Sequence, residues 1–166
     1  KAAVKAAAEY EGPVYLRFGR AACPVINDRP DYKFEIGKGN VVREGSDVTI
    51  VATGICVGNA LEAAEMLAAG GISAEVINIC TIKPLDEELV VKSAKKTGKV
   101  VTAEEHSVIG GLGSAVCDAL CKSYPVPVKK IGMQDTFGES GSAAALVEKY
   151  QLDGKGIYAQ VKEFMK

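Results

Sequence analysis

Val100-Val101-Thr102-Ala103-Glu104-Glu105-His106, with Gly110-Gly111-Leu112-Gly113-Ser114 close behind, decides how this chain is read. A β-branched apolar run ends in two carboxylates and the only histidine. A glycine-rich turn then opens a helix whose apolar side carries Val116, Ala119 and Leu120. Strand, turn and helix in that order belong to a parallel α/β sheet. In such a sheet ligands bind in the crevice outside the carboxyl ends of the strands, which is where this polar cluster falls. Position alone does not make it a site.

The same alternation repeats on both sides. Val48-Thr49-Ile50-Val51-Ala52-Thr53-Gly54 is too uniformly apolar for a half-exposed strand and predicts a central one. Val57, Ala60, Leu61, Ala64, Leu67 and Ala68 then recur at helical spacing up to Gly70-Gly71. Ala74 to Ile79 predicts another strand, and Pro84-Leu85-Asp86 introduces a helix that closes near Thr97-Gly98. Gly113 to Lys122 predicts a small-residue helix. Val126 to Ile131 predicts a strand whose Pro127 suits a start or an edge. Asn40 to Arg43 reads as an edge strand, and helices over 142–150 and 155–166 close the chain. The pattern predicts a three-layer α/β/α domain around a mostly parallel, mixed sheet of about five strands.

Upstream the chemistry changes. Lys1 to Glu11 is alanine-rich helix material without a start signal, so we expect the tail of a helix that begins before Lys1. Gly12-Pro13 stops it, and Val14-Tyr15-Leu16-Arg17-Phe18 reads as a short strand. The stretch from Gly19 to Asn40 holds Pro24, Pro30, many charges and little periodicity, more structureless chain than a compact domain carries. We therefore expect three parts: 1–20 from one domain, a linker over 21–39, and a second domain over 40–166.

Composition narrows the function classes. Twenty Lys+Arg against 21 Asp+Glu give a net charge of -1, with no basic stripe for nucleic acid. No apolar run approaches the ~20 residues of a membrane span. Cys23, Cys56, Cys80, Cys117 and Cys121 are scattered and odd in number, as for reduced thiols in a cytoplasmic protein. Cys117 and Cys121 share a helical face, but no second Cys/His pair completes a metal site.

Four motifs carry chemical interest. Gly110-Gly111-Leu112-Gly113 at a helix start invites phosphate, yet it lacks the dinucleotide spacing, and glycines there also allow close helix–sheet packing. Glu104 and His106, on one side of a strand, suit an acid–base pair. Without a nucleophile nearby, a structural or interface role for Glu104, His106, Gly110, Gly111 and Gly113 reads better. Arg17, isolated among apolar neighbours, fits interdomain salt bridging and anion binding equally. Asp135 to Gly141 is a loop with capping residues at its exit.

Taken together, five ordered segments resemble the C-terminal part of transketolases, in particular the separate C-terminal subunit of split ones. They are Gly12 to Arg17, Gly45 to Gly54, Val76 to Asp86, Glu104 to Ser114, and Asp135 to Gly141. Deoxyxylulose-phosphate synthases and the β-subunits of 2-oxo-acid dehydrogenases share much of the pattern; in the latter the equivalent domain docks a partner acyltransferase. The resemblance implies that 1–20 ends a pyrimidine-binding domain and that 40–166 is the transketolase C-terminal domain. It implies a parent enzyme, homodimeric and cytoplasmic, that moves a two-carbon ketol unit between sugar phosphates. Thiamine diphosphate with Mg2+ (or Ca2+) would be held by upstream pyrophosphate- and pyrimidine-binding domains and not by this chain. Arg17 matches the arginine that such enzymes use to hold the substrate's phosphate. No residue here matches their catalytic set, so the chain by itself is expected to be inert, with a packing, dimer-support or regulatory role.

Overall fold

The computed structural model describes residues 1–20, 22–28 and 32–166. Helix α1 (Ala2–Glu9) comes first and buries none of its residues. The Val14 to Phe18 stretch is a correction to the sequence reading: it is exposed and forms no strand. Alternating apolar residues favour an extended backbone, but a strand exists only where a neighbour completes its ladder, and none lies beside it among the described residues. Residues 21 and 29–31 of the expected linker lie outside the described residues. The rest of it is not free chain. Ile26 packs on the main core, and Pro24 lies against Gly58.

The second part alternates as expected: β1 (Asn40–Arg43), β2 (Val48–Ala52), α2 (Cys56–Ala69), β3 (Ala74–Asn78), α3 (Glu87–Thr97), β4 (Val100–Ser107), α4 (Leu112–Ser123), β5 (Val128–Met133), α5 (Ala143–Lys149) and α6 (Gly154–Phe164). The five strands form one sheet in the order β1-β3-β2-β4-β5. All pair in parallel except β1, which runs antiparallel along β3. Pro127, which cannot donate to a ladder, stands just before β5 and offers only its carbonyl, to Val100 N at 3.1 Å.

Every residue of β2 and β3 is buried, because helices cover both faces. Val48, Ile50 and Ala52 meet Val57, Ala60, Ala64 and Leu67 of α2 and Ile157 and Val161 of α6. Val51, Ile77 and Val100 point the other way, onto Val90 and Ala94 of α3 and Leu112, Val116 and Leu120 of α4. The period-two alternation thus sorts one apolar run into two cores.

Helix ends follow local chemistry. Asp86 caps α3 by accepting from Leu89 N at 3.2 Å, and Gly98 closes it in the left-handed conformation. The second Asp86 oxygen accepts from Gly39 N at 3.1 Å, fastening the segment before β1 to the start of α3. Ser142 and Asp153 cap α5 and α6.

Candidate functional site

In this strand order the chain leaves β2 toward β3 on one side, while β4 lies on the other. The carboxyl ends of β2 and β4 therefore flank the switch point, where a doubly wound sheet opens its ligand crevice. Cys56 begins α2 there, and Glu104 to His106 end β4 there.

Glu104 fills this crevice from within. Its carboxylate is buried, with Oε2 accepting from Leu112 N and Oε1 from Gly113 N, both at 2.8 Å. The positive end of the α4 dipole thus holds an internal anion. Gly110 N donates to Ser114 Oγ at 2.9 Å, which satisfies the next amide of the turn. A Cβ on Gly111 would fall onto Glu104 Oε2, and one on Gly113 would lie 2.9 Å from Thr102 Oγ1 and 2.6 Å from Lys130 Cδ. The glycines let the helix close down on the sheet and its carboxylate.

The structure does not assemble the Glu104–His106 acid–base pair: both Glu104 oxygens are spent on amides, and no hydrogen bond joins it to the half-buried His106. Gly110 is exposed, Gly111 half-buried and Gly113 buried. Glu105 turns elsewhere. Arg17 Nη1 donates to Glu105 Oε1 at 3.3 Å, joining segments 88 residues apart. The Cys56 thiol is pushed up to about 12, chiefly by burial and then by the carboxylates of Glu105 and Glu104. It stays a thiol at neutral pH and is no nucleophile.

The loop from Asp135 to Gly141 leaves Phe137 fully exposed, and its Glu139 pairs with Lys149 at 2.6 Å. A second charged cluster, which the sequence reading missed, lies at the opposite ends of the strands. Glu75 of β3, only 1% exposed, accepts from Thr49 Oγ1 at 3.2 Å and pairs with Lys96. Lys96 also meets Glu44 at 2.8 Å, which holds the Glu44 carboxyl below its usual range. The signal was an acid inside the apolar run Ala74 to Ile79.

A diphosphate cofactor does not fit these residues. The glycine-rich start of α4 already holds a carboxylate that would repel it, and no group of three or more metal-ligating side chains exists among the described residues. No described helix is long and apolar enough to cross a membrane.

Residues 37–157 match the family model described as transketolase, C-terminal domain. The chain belongs to that family. A 6-deoxy-6-sulfo-D-fructose transketolase subunit from Clostridium sp. (strain MSTE9) is 51% identical to this transketolase domain over 154 residues, covering 93% of the chain and 48% of the relative. A solved split gene transketolase, an inactive beta4 tetramer, superposes on it with a TM-score of 0.92 at 56% identity, over 98% of this chain and 53% of that one. A 1-deoxy-D-xylulose-5-phosphate synthase from Heliobacterium modesticaldum (strain ATCC 51547 / Ice1) is 42% identical over 162 residues, 96% of the chain and 25% of the synthase. The transketolase-type chain spans about half the length of the subunit-sized relatives it matches.

Proposed function

We propose that this chain is a C-terminal fragment of a split transketolase's C-terminal subunit, whose parent enzyme transfers a two-carbon ketol unit between a ketose phosphate and an aldose phosphate. The observation that carries the reading is the pairing of a family match over most of the chain with coverage of only half of its subunit relatives. Residues 1–20 end an upstream pyrimidine-binding domain, 21–39 link, and 40–166 form the C-terminal domain. Exposed Tyr15, Phe18 and Val25 support this division, since large apolar side chains in solvent imply a missing partner surface. Thiamine diphosphate and Mg2+ (or Ca2+) are held upstream and supply the carbon–carbon bond chemistry.

This chain's own contribution is narrower. Arg17, with its guanidinium half exposed, binds the anionic end of the sugar and orients it by its planar fork. The sulfo-sugar and sugar-phosphate names of the relatives support an oxyanion at that end. The plugged crevice leaves 40–166 a role in packing and subunit support. The inactive tetramer among its neighbours supports self-association of the isolated chain without turnover.

Ketol transfer measured with and without the separately expressed upstream pyrophosphate- and pyrimidine-binding domains, in the presence of thiamine diphosphate and Mg2+, tests this. Activity should need both pieces; turnover by this chain alone would overturn the reading. The synthase relative favours one second reading, in which the parent makes a 1-deoxyketose phosphate. Mass analysis of the product separates the two by the presence or absence of the C1 oxygen.

A further inference from the structure

We propose that Glu105 is a positioning residue: it holds the Arg17 guanidinium ready for the terminal oxyanion, phosphate or sulfonate, of the substrate. The inference rests on the anion-binding reading of Arg17 given above and extends the substrate site across the domain boundary onto β4.

Nothing in its own segment fixes Arg17. The backbone from Pro13 to Phe18 makes no ladder, and Tyr15 and Phe18 stand in solvent on either side. An arginine so placed has much side-chain rotamer freedom to lose before it can hold a ligand. The side-chain hydrogen bond it does make is to Glu105 Oε1, by Nη1 alone, at 3.3 Å. A one-point contact differs from a fork-on-fork pair, because the remaining N–H groups stay available for a second, bidentate anion. Glu105 is suited to the task by its mounting. It belongs to β4, whose pairing with β2 and β5 runs up to Ala103 and resumes with β5 at Ser107, so its backbone is held between two anchored points.

The neighbouring carboxylates divide the work. Glu104 is sealed against the amides of α4, whereas Glu105 is half-buried and reaches the upstream segment. The Arg17 side chain remains 52% exposed, so the pair is weak enough to leave the fork to an incoming phosphate or sulfonate.

The test uses the enzyme reconstituted from this protein and the upstream pyrophosphate- and pyrimidine-binding domains, with ribose 5-phosphate against ribose as acceptors and a sulfonate-terminated ketose against its phosphate counterpart as donors. Glu105→Ala should raise KM for the phosphorylated acceptor roughly fivefold, a weak ion pair's worth, with little change in kcat. It should leave kcat/KM for ribose unmoved. The phosphate and sulfonate donors should both show a raised KM, and no rise with either would overturn the proposal. Glu105→Gln keeps an oxygen that Arg17 can donate to, and should recover most of the loss; it also serves if the alanine variant fails to assemble. On an Arg17→Ala background, Glu105→Ala should add nothing. A KM that stays level or falls in Glu105→Ala would overturn the proposal, because the carboxylate would then be idle or a competitor. Equal losses on ribose and ribose 5-phosphate would do the same by exposing a general folding role. If Arg17→Ala itself shows no preference against the phosphorylated acceptor, the anion reading fails with it. If Arg17→Ala shows that preference and Glu105→Ala does not, only the positioning role falls.

Discussion

Glu104 Oε2 occupies the space that a side chain on Gly111 would need. Gly111 has an ordinary extended backbone, so its constraint is one of volume and not of dihedral angle. Gly111→Ala must expel the carboxylate from two amides or lift the helix. Either way we expect a loss of about 2–3 kcal/mol, the scale of a charge-assisted hydrogen bond left unmade in the interior. Urea unfolding of the variant beside Gly138→Ala, where an added Cβ meets nothing, measures it. Equal midpoints for Gly111→Ala and the parent protein would contradict the geometry.

Removing the carboxylate instead should hurt in a different way. Glu104→Ala strips the caps from Leu112 and Gly113 and leaves their N–H groups facing a buried void, at a cost of roughly 2–4 kcal/mol. Amide hydrogen exchange at those two positions should accelerate relative to the middle of α4. Unchanged protection there would show that the cap is dispensable.

The far end of the sheet offers a charge test. Lys96→Met leaves Glu75 buried with only the Thr49 hydroxyl, and the loss should reach about 2–4 kcal/mol at neutral pH, as for a buried ion missing its partner. Glu44→Gln, at the solvent-facing side of the same lysine, should leave the unfolding midpoint where it was. Denaturant titrations of both variants decide whether the buried or the exposed contact matters.

Cys56 should reveal itself in alkali. Burial raises its thiol from 9.0 to about 12, so the folded chain keeps a proton that the unfolded chain gives up. Its stabilising share is therefore whole below 9.0 and disappears as pH climbs from 9.0 to about 12. Cys56→Ala should flatten the fall in stability across that window. In native protein, thiol labelling read by mass spectrometry should reach exposed Cys23 and Cys121 long before Cys56.

Much of the architecture was legible because it rests on local rules. Val48 to Ala52 reads as a central strand since both of its faces are apolar, and Asp86, Gly98 and Ser142 announce helix ends by side-chain chemistry alone. The site was harder for a physical reason. Glu104 in an apolar strand suits an acid–base pair or a structural role alike, and its partners are backbone amides eight and nine residues on, which carry no side-chain signature. Glu105 and Arg17 lie 88 residues apart with nothing in either neighbourhood to pair them. Val14 to Phe18 satisfied the pattern of a strand, but a ladder is a property of two segments and no second one lies beside it among the described residues.

Asp86 divides its two oxygens between the first turn of α3 and the amide of Gly39. One carboxylate thus acts as a rivet through both the helix and the arriving chain, and whatever precedes residue 39 must approach along a heading that this rivet sets. Any upstream body would inherit its bearing from a residue deep in its neighbour, so a change at Asp86 would be felt as misaligned halves long before it was felt as a loosened helix.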